Sequence, residues 1–88
     1  MSRIKVLVID DNEAHAQGLA ELLERSGFST MFATTGKQGL QLALNGGVDA
    51  VLLDLNLPDI SGYEVCRQLR SEPGTANVVL KQIGRAHV

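Results

Sequence analysis

The chain has 88 residues, 44% of them hydrophobic, 20% charged and 3% aromatic, which suits one small core and is too apolar and too mixed in charge for a disordered segment. A formal net charge of -2 lacks the basic excess of a protein that grips a phosphate backbone, so no direct nucleic-acid contact is expected. The single cysteine, Cys66, excludes an internal disulfide and a multi-cysteine zinc site and fits a reducing compartment.

Residues 4–9 are apolar except Lys5 and stop abruptly at Asp10-Asp11, too short a run for a signal segment or a membrane span. A cytoplasmic protein without membrane insertion is the expectation. The same run, and residues 48–53, apolar except Asp49, read as strands buried on both faces, hence as parts of a parallel sheet. Between them, residues 13–26 read as a helix with Ala16, Leu19, Leu22 and Leu23 on one face, Asp11 or Asn12 as its cap and Gly27 as its stop. Residues 28–33 read as a second strand, followed by Thr34-Thr35 as helix starters and a helix carrying Leu40, Ala43 and Leu44.

After the third strand, Ser61-Gly62-Tyr63-Glu64 has the S-x-x-E spacing of a capping box, with Ile60 and Val65 placed as a hydrophobic staple. The helix begun there buries Val65 and Leu69 and stops before Pro73-Gly74. Val78-Val79-Leu80 starts a fourth strand that gives way to Lys81-Gln82. The order β-α-β-α-β-α-β predicts an α/β fold with right-handed crossovers.

In open α/β sheets, ligands gather at the carboxyl ends of the strands. Asp10 and Asp11 end the first strand and Asp54 ends the third; neighbouring strands would bring three carboxylates to one corner, where mutual repulsion calls for a cation. An open, oxygen-only set suits Mg²⁺, and a carboxylate beside Mg²⁺ can act as a nucleophile toward phosphorus. Asp54 interrupts an apolar run, where a decorative carboxylate is costly. Asp59 and Ser61 are explained by turn and capping chemistry, His15 as a surface or satisfied residue of the first helix rather than a ligand or phosphoacceptor, and Tyr63 and Cys66 by packing. Gly36-Lys37 lacks the remainder of a P-loop.

Val6-Leu7-Val8-Ile9-Asp10-Asp11-Asn12-Glu13 and Asp54-Leu55-Asn56-Leu57-Pro58-Asp59-Ile60-Ser61-Gly62-Tyr63-Glu64 resemble the first strand with its acidic pair and the phosphorylation loop of the receiver domain of two-component response regulators. The resemblance runs from about Ile4 to Leu80. It implies the flavodoxin-like, doubly wound parallel sheet of strand order 2-1-3-4-5. It also implies that Asp54 accepts a phosphoryl group from a phosphohistidine on a sensor histidine kinase or histidine phosphotransfer protein. Asp10, Asp11, the Asp54 carboxylate and the backbone carbonyl of Asn56 would hold Mg²⁺. Such a domain is a phosphoacceptor that assists its own phosphotransfer rather than an enzyme.

Receivers normally carry a Thr or Ser at the end of the fourth strand and a Lys before a Pro at the end of the fifth. Neither is found here, Lys81 falls inside the fourth strand, and α4-β5-α5 has no counterpart. Ile83-Gly84-Arg85-Ala86-His87-Val88 matches the translation of a common sequencing adapter, ATC-GGA-AGA-GCA-CAC-GTC, followed there by a stop codon. Residues 1–82 are therefore read as a partial receiver domain and residues 83–88 as a non-native tail. Self-association through the exposed sheet edge is expected of such a chain. Two alternatives stay open: a receiver-like interaction domain or inactive fragment that is never phosphorylated, and a Mg²⁺-dependent phosphohydrolase with an Asp nucleophile. The latter would want an acidic residue where Asn56 stands.

Overall fold

A computed structural model describes residues 3–54 and 57–82. Its elements are β1 (Lys5–Ile9), α1 (Glu13–Arg25), β2 (Ser29–Ala33), α2 (Gly36–Leu44), β3 (Ala50–Leu53), α3 (Gly62–Ser71) and β4 (Val79–Gln82). All strand pairs are parallel, in the order β2-β1-β3-β4, so the chain reverses direction across the sheet after β2. This is the doubly wound arrangement that the alternation and the resemblance lead one to expect. The proposed tail at 83–88 and the Asn56 carbonyl lie outside the described residues.

Side chains alternate across a strand, so parallel register sorts them onto two faces. Leu7, Met31, Val51 and Leu80 share one row and Ile9, Ala33 and Leu53 the next. These pack with Leu40 and Ala43 of α2 and Val65 and Leu69 of α3 into the main core. Val6, Val8, Thr30 and Leu52 occupy the opposite face, where α1 lies and Thr30 Oγ1 donates to Ala20 O at 3.3 Å.

Three expectations are corrected. The buried positions of α1 are Ala16 and Ala20, while Leu19 and Leu23 are half-buried and Leu22 is 60% exposed. Two small residues one turn apart seat the helix on the sheet and rotate the leucine stripe outward. Tyr63 is 67% exposed rather than packed, because the buried face of α3 runs through Gly62, Val65 and Leu69; Leu44, at the end of α2, is likewise exposed. β4, by contrast, holds Lys81 inside it as expected and runs on through Gln82, the two pairing with Leu52 and Leu53. Main-chain pairing carries an edge strand on where both side chains are exposed.

The helix ends use short polar side chains as expected. Thr35 accepts from Gln38 N at 3.1 Å and Ser61 from Glu64 N at 3.1 Å. The Glu64 carboxylate takes up Arg67, with Nε at 3.1 Å, and Gln68 Nε2 at 3.0 Å; the two, Arg67 foremost, push its pKa down to about 2. Past α3, Thr75 Oγ1 donates to Leu69 O at 2.6 Å, and Arg70 Nη1 to Ala76 O at 2.6 Å and Val78 O at 2.7 Å, holding the turn that feeds β4.

Candidate functional site

The sheet register decides what meets at its carboxyl edge. Ile9 lies level with Ala33 on one side and Leu53 on the other. The ladder runs one residue further: Asp10 N donates to Ala33 O at 3.0 Å and Asp54 N to Ile9 O at 2.9 Å. Asp10 and Asp54 therefore leave adjacent strands at the same level. Both are buried, 1% and 4% exposed, while Asp11 is exposed. One carboxylate oxygen from each of Asp10, Asp11 and Asp54 lies within 4.8 Å of the other two. The sequence expectation for these three residues thus meets a single cluster, with two buried members and one open to solvent.

The chain after β1 fixes the cluster locally. Asn12, not Asp11, caps α1, its Oδ1 accepting from His15 N at 2.9 Å, and this places Asp11 among the carboxylates. Asp10 Oδ1 accepts from Asn12 N at 3.0 Å, and its Oδ2 meets Nδ1 of His15. His15 is half exposed and satisfied by this contact, as one of the two expectations for it had it, and its partner is a member of the acidic cluster. A signal for this exists in the sequence: helical side chains lean toward the N-terminus, so a residue in the first turn after a strand can reach back to that strand's end.

The loop after β3 is anchored by Asp59, for which turn and capping chemistry is expected; the helix it caps is the distant α2. Its Oδ1 accepts from Gly36 N at 2.8 Å and its Oδ2 from Lys37 N at 2.9 Å, so it satisfies the first two orphan N–H groups of α2 across more than 20 residues of chain. Slight burial raises the Asp59 carboxyl, but the N–H groups of Lys37, Gly36 and Ile60 outweigh it and hold the pKa below the ordinary 3.8. Gly36 permits the contact, since a Cβ there would stand 2.5 Å from Ile60 Cγ1. Ser61 caps α3, as expected.

Three oxygen donors, two held by a rigid sheet and one facing solvent, fit a hard divalent cation that keeps room for water or a phosphoryl oxygen. The lone Cys66 is half-buried, and burial pushes its thiol pKa up, the reverse of an activated nucleophile. Among the described residues no helix is long and apolar enough to cross a membrane.

Comparison with known proteins follows the same lines. The family model for the response regulator receiver domain matches residues 6–82. The response regulator MprA of Mycobacterium sp. (strain KMS) is 43% identical over 68 residues, covering 77% of this chain and 30% of that protein. The chain thus spans about a third of the length of such relatives. The solved CheY-like receiver domain from Methylobacillus flagellatus superposes with a TM-score of 0.87 at 35% identity, over 94% of this chain and 70% of that one. The receiver domain of sensor histidine kinase PA1611 from Pseudomonas aeruginosa PAO1, solved with a magnesium ion in its active site cleft, shares the fold at a TM-score of 0.86 and 23% identity, over 92% and 66% of the two chains. With the register, the acidic corner and the family match in agreement, this chain belongs to the response regulator receiver domain family.

Proposed function

We propose that the chain is a phosphoacceptor module of a two-component phosphorelay, in which Asp54 takes a phosphoryl group from a phosphohistidine on a sensor histidine kinase or histidine phosphotransfer protein. The observation that carries this reading is the convergence of Asp10, Asp11 and Asp54 within 4.8 Å at the carboxyl edge of a parallel sheet. Asp54 ends β3 at the centre of that edge, flanked through β1 by Asp10. A carboxylate oxygen of Asp54 attacks phosphorus; the new P–O bond forms as the P–N bond breaks. The electron pair leaves on the imidazole nitrogen of the donor, which takes its proton from solvent. Burial limits the positions Asp54 can adopt, which lowers the orientational cost of the attack.

Asp10, Asp11 and Asp54 would hold Mg²⁺, with the Asn56 carbonyl as a further ligand implied by the family resemblance. The cation, when bound, supplies neutralisation of the charge on the transferring group. Asp11, exposed, completes the acidic set on the side from which a donor would approach. Conversion of Asp54 to an acyl phosphate replaces one negative charge by about two, which is the signal such a switch would transmit.

Incubation with a small-molecule phosphodonor and Mg²⁺ tests the proposal by intact mass. A mass gain of one phosphoryl group that disappears in Asp54→Asn and in the presence of a chelator is the expected result. Labelling that survives Asp54→Asn overturns it, and steady turnover of a phosphomonoester would point instead to a phosphohydrolase.

A further inference from the structure

Among the described residues, His15 is a titratable side chain at the acidic corner that the phosphoacceptor reading does not use. Its place is over-determined. Asn12 N donates to Asp10 Oδ1, His15 N donates to Asn12 Oδ1, and His15 Nδ1 returns to Asp10 Oδ2. The three contacts close a ring from the end of β1 through the α1 cap and back. Asp10 is 1% exposed, and each of its oxygens is engaged by a different arm of this ring. An ionised carboxylate only accepts, so the hydrogen on the His15 contact sits on Nδ1.

We infer that His15 is a positioning residue of the acidic corner: its Nδ1–H fixes the Asp10 carboxylate in the orientation in which Asp10, Asp11 and Asp54 take a divalent cation. The inference rests on the metal reading given above. A carboxylate held at one oxygen alone can rotate about its terminal torsion, whereas one held at both keeps its lone pairs aimed. Hydrogen-bonding partners behind a metal ligand commonly change affinity by about 10–100-fold. Because His15 acts through Asp10, its loss should weaken the cation without removing a ligand.

Mn²⁺ binding to the full chain, followed at one fixed pH by the electron paramagnetic resonance of the free ion, tests this directly, with thermal unfolding as a control. The side-chain amide nitrogen of Asn occupies the place of His Nδ1, and that of Gln the place of Nε2. The expected order is therefore wild type tightest, His15→Asn close to it, and His15→Gln and His15→Ala weaker by about tenfold. Equal binding by His15→Ala and wild type overturns the inference, as does equal rescue by His15→Gln and His15→Asn. Tighter binding by His15→Ala overturns it too, since the imidazole would then be competing with the cation for Asp10. Should His15→Ala fail to fold, the Asn and Gln pair still decides between these results. Absence of Mn²⁺ binding by the wild type itself overturns the metal reading and, with it, this role for His15.

Discussion

The two faces of the sheet are built differently. Toward α2 and α3, Leu7, Ile9, Val51 and Leu53 are fully buried and meet Leu40, Ala43, Val65 and Leu69 in one continuous core. Toward α1, Val6 and Val8 are buried as well, but the buried helix residues are two alanines, Leu52 is half-buried, and Val79 and Lys81 at the β4 edge are exposed. Asp10 and Asp54 continue the alternation of Val6-Val8 and Ala50-Leu52, the α1 side. The acidic corner thus grows from the face that α1 covers with small residues, which is why a residue of α1 reaches Asp10. The lesson is a division of labour: apolar packing on one face sets stability, and hydrogen bonds on the other aim the carboxylates.

Truncation on the dense face should have the largest effect. Leu53→Ala is expected to destabilise the fold by about 2–5 kcal/mol, read as a shift in the urea midpoint. Leu52→Ala, its neighbour on the other face, should cost clearly less, and equal losses would remove the distinction between the faces. Two glycine substitutions sharpen it further. A Cβ on Gly39 of α2 would stand 2.4 Å from Ile9 Cδ1 and 2.7 Å from its Cγ1, and Ile9 is a fully buried member of the main core. Gly39→Ala should therefore cost about 1–3 kcal/mol despite the better helix propensity of alanine.

Asp59→Ala, which removes the long-range cap on α2, should cost about 0.5–2 kcal/mol near neutral pH, the exposed end of that range being the lower one. Its sign with pH is fixed. The folded pKa is lowered, so the stabilisation is complete above the ordinary 3.8 and is lost as pH falls below that value through the folded one. Wild type and Asp59→Ala should converge in acid, and a gap that persists there would assign the effect to packing. The smallest change runs the other way: Gly18 of α1 has nothing within 4 Å of a Cβ, so Gly18→Ala should stabilise by about 0.5–1 kcal/mol.

Most of the fold is legible in the sequence because it rests on short-range signals. Apolar runs too brief for helices mark β1 and β3, and Asn12, Thr35 and Ser61 mark the helix starts. Asp54 stands out because a carboxylate at the end of an apolar run must answer to something. What could not be read is non-local. Which stripe of α1 faces the sheet depends on how closely Ala16 and Ala20 let it approach, and periodicity alone favoured the leucines. The Asp59 cap joins a loop to a helix start more than 20 residues earlier, and no local pattern announces it. The His15 contact lay within reach of sequence reasoning through the backward lean of helical side chains.

The central claim is that Asp54 is the residue modified. Phosphodonor treatment in Mg²⁺ followed by borohydride reduction converts an aspartyl phosphate to homoserine, which peptide mass mapping then locates. The account predicts homoserine at position 54 and nowhere else; a trapped product at Asp10, Asp11 or Asp59, or a stable phosphate on His15, would contradict it.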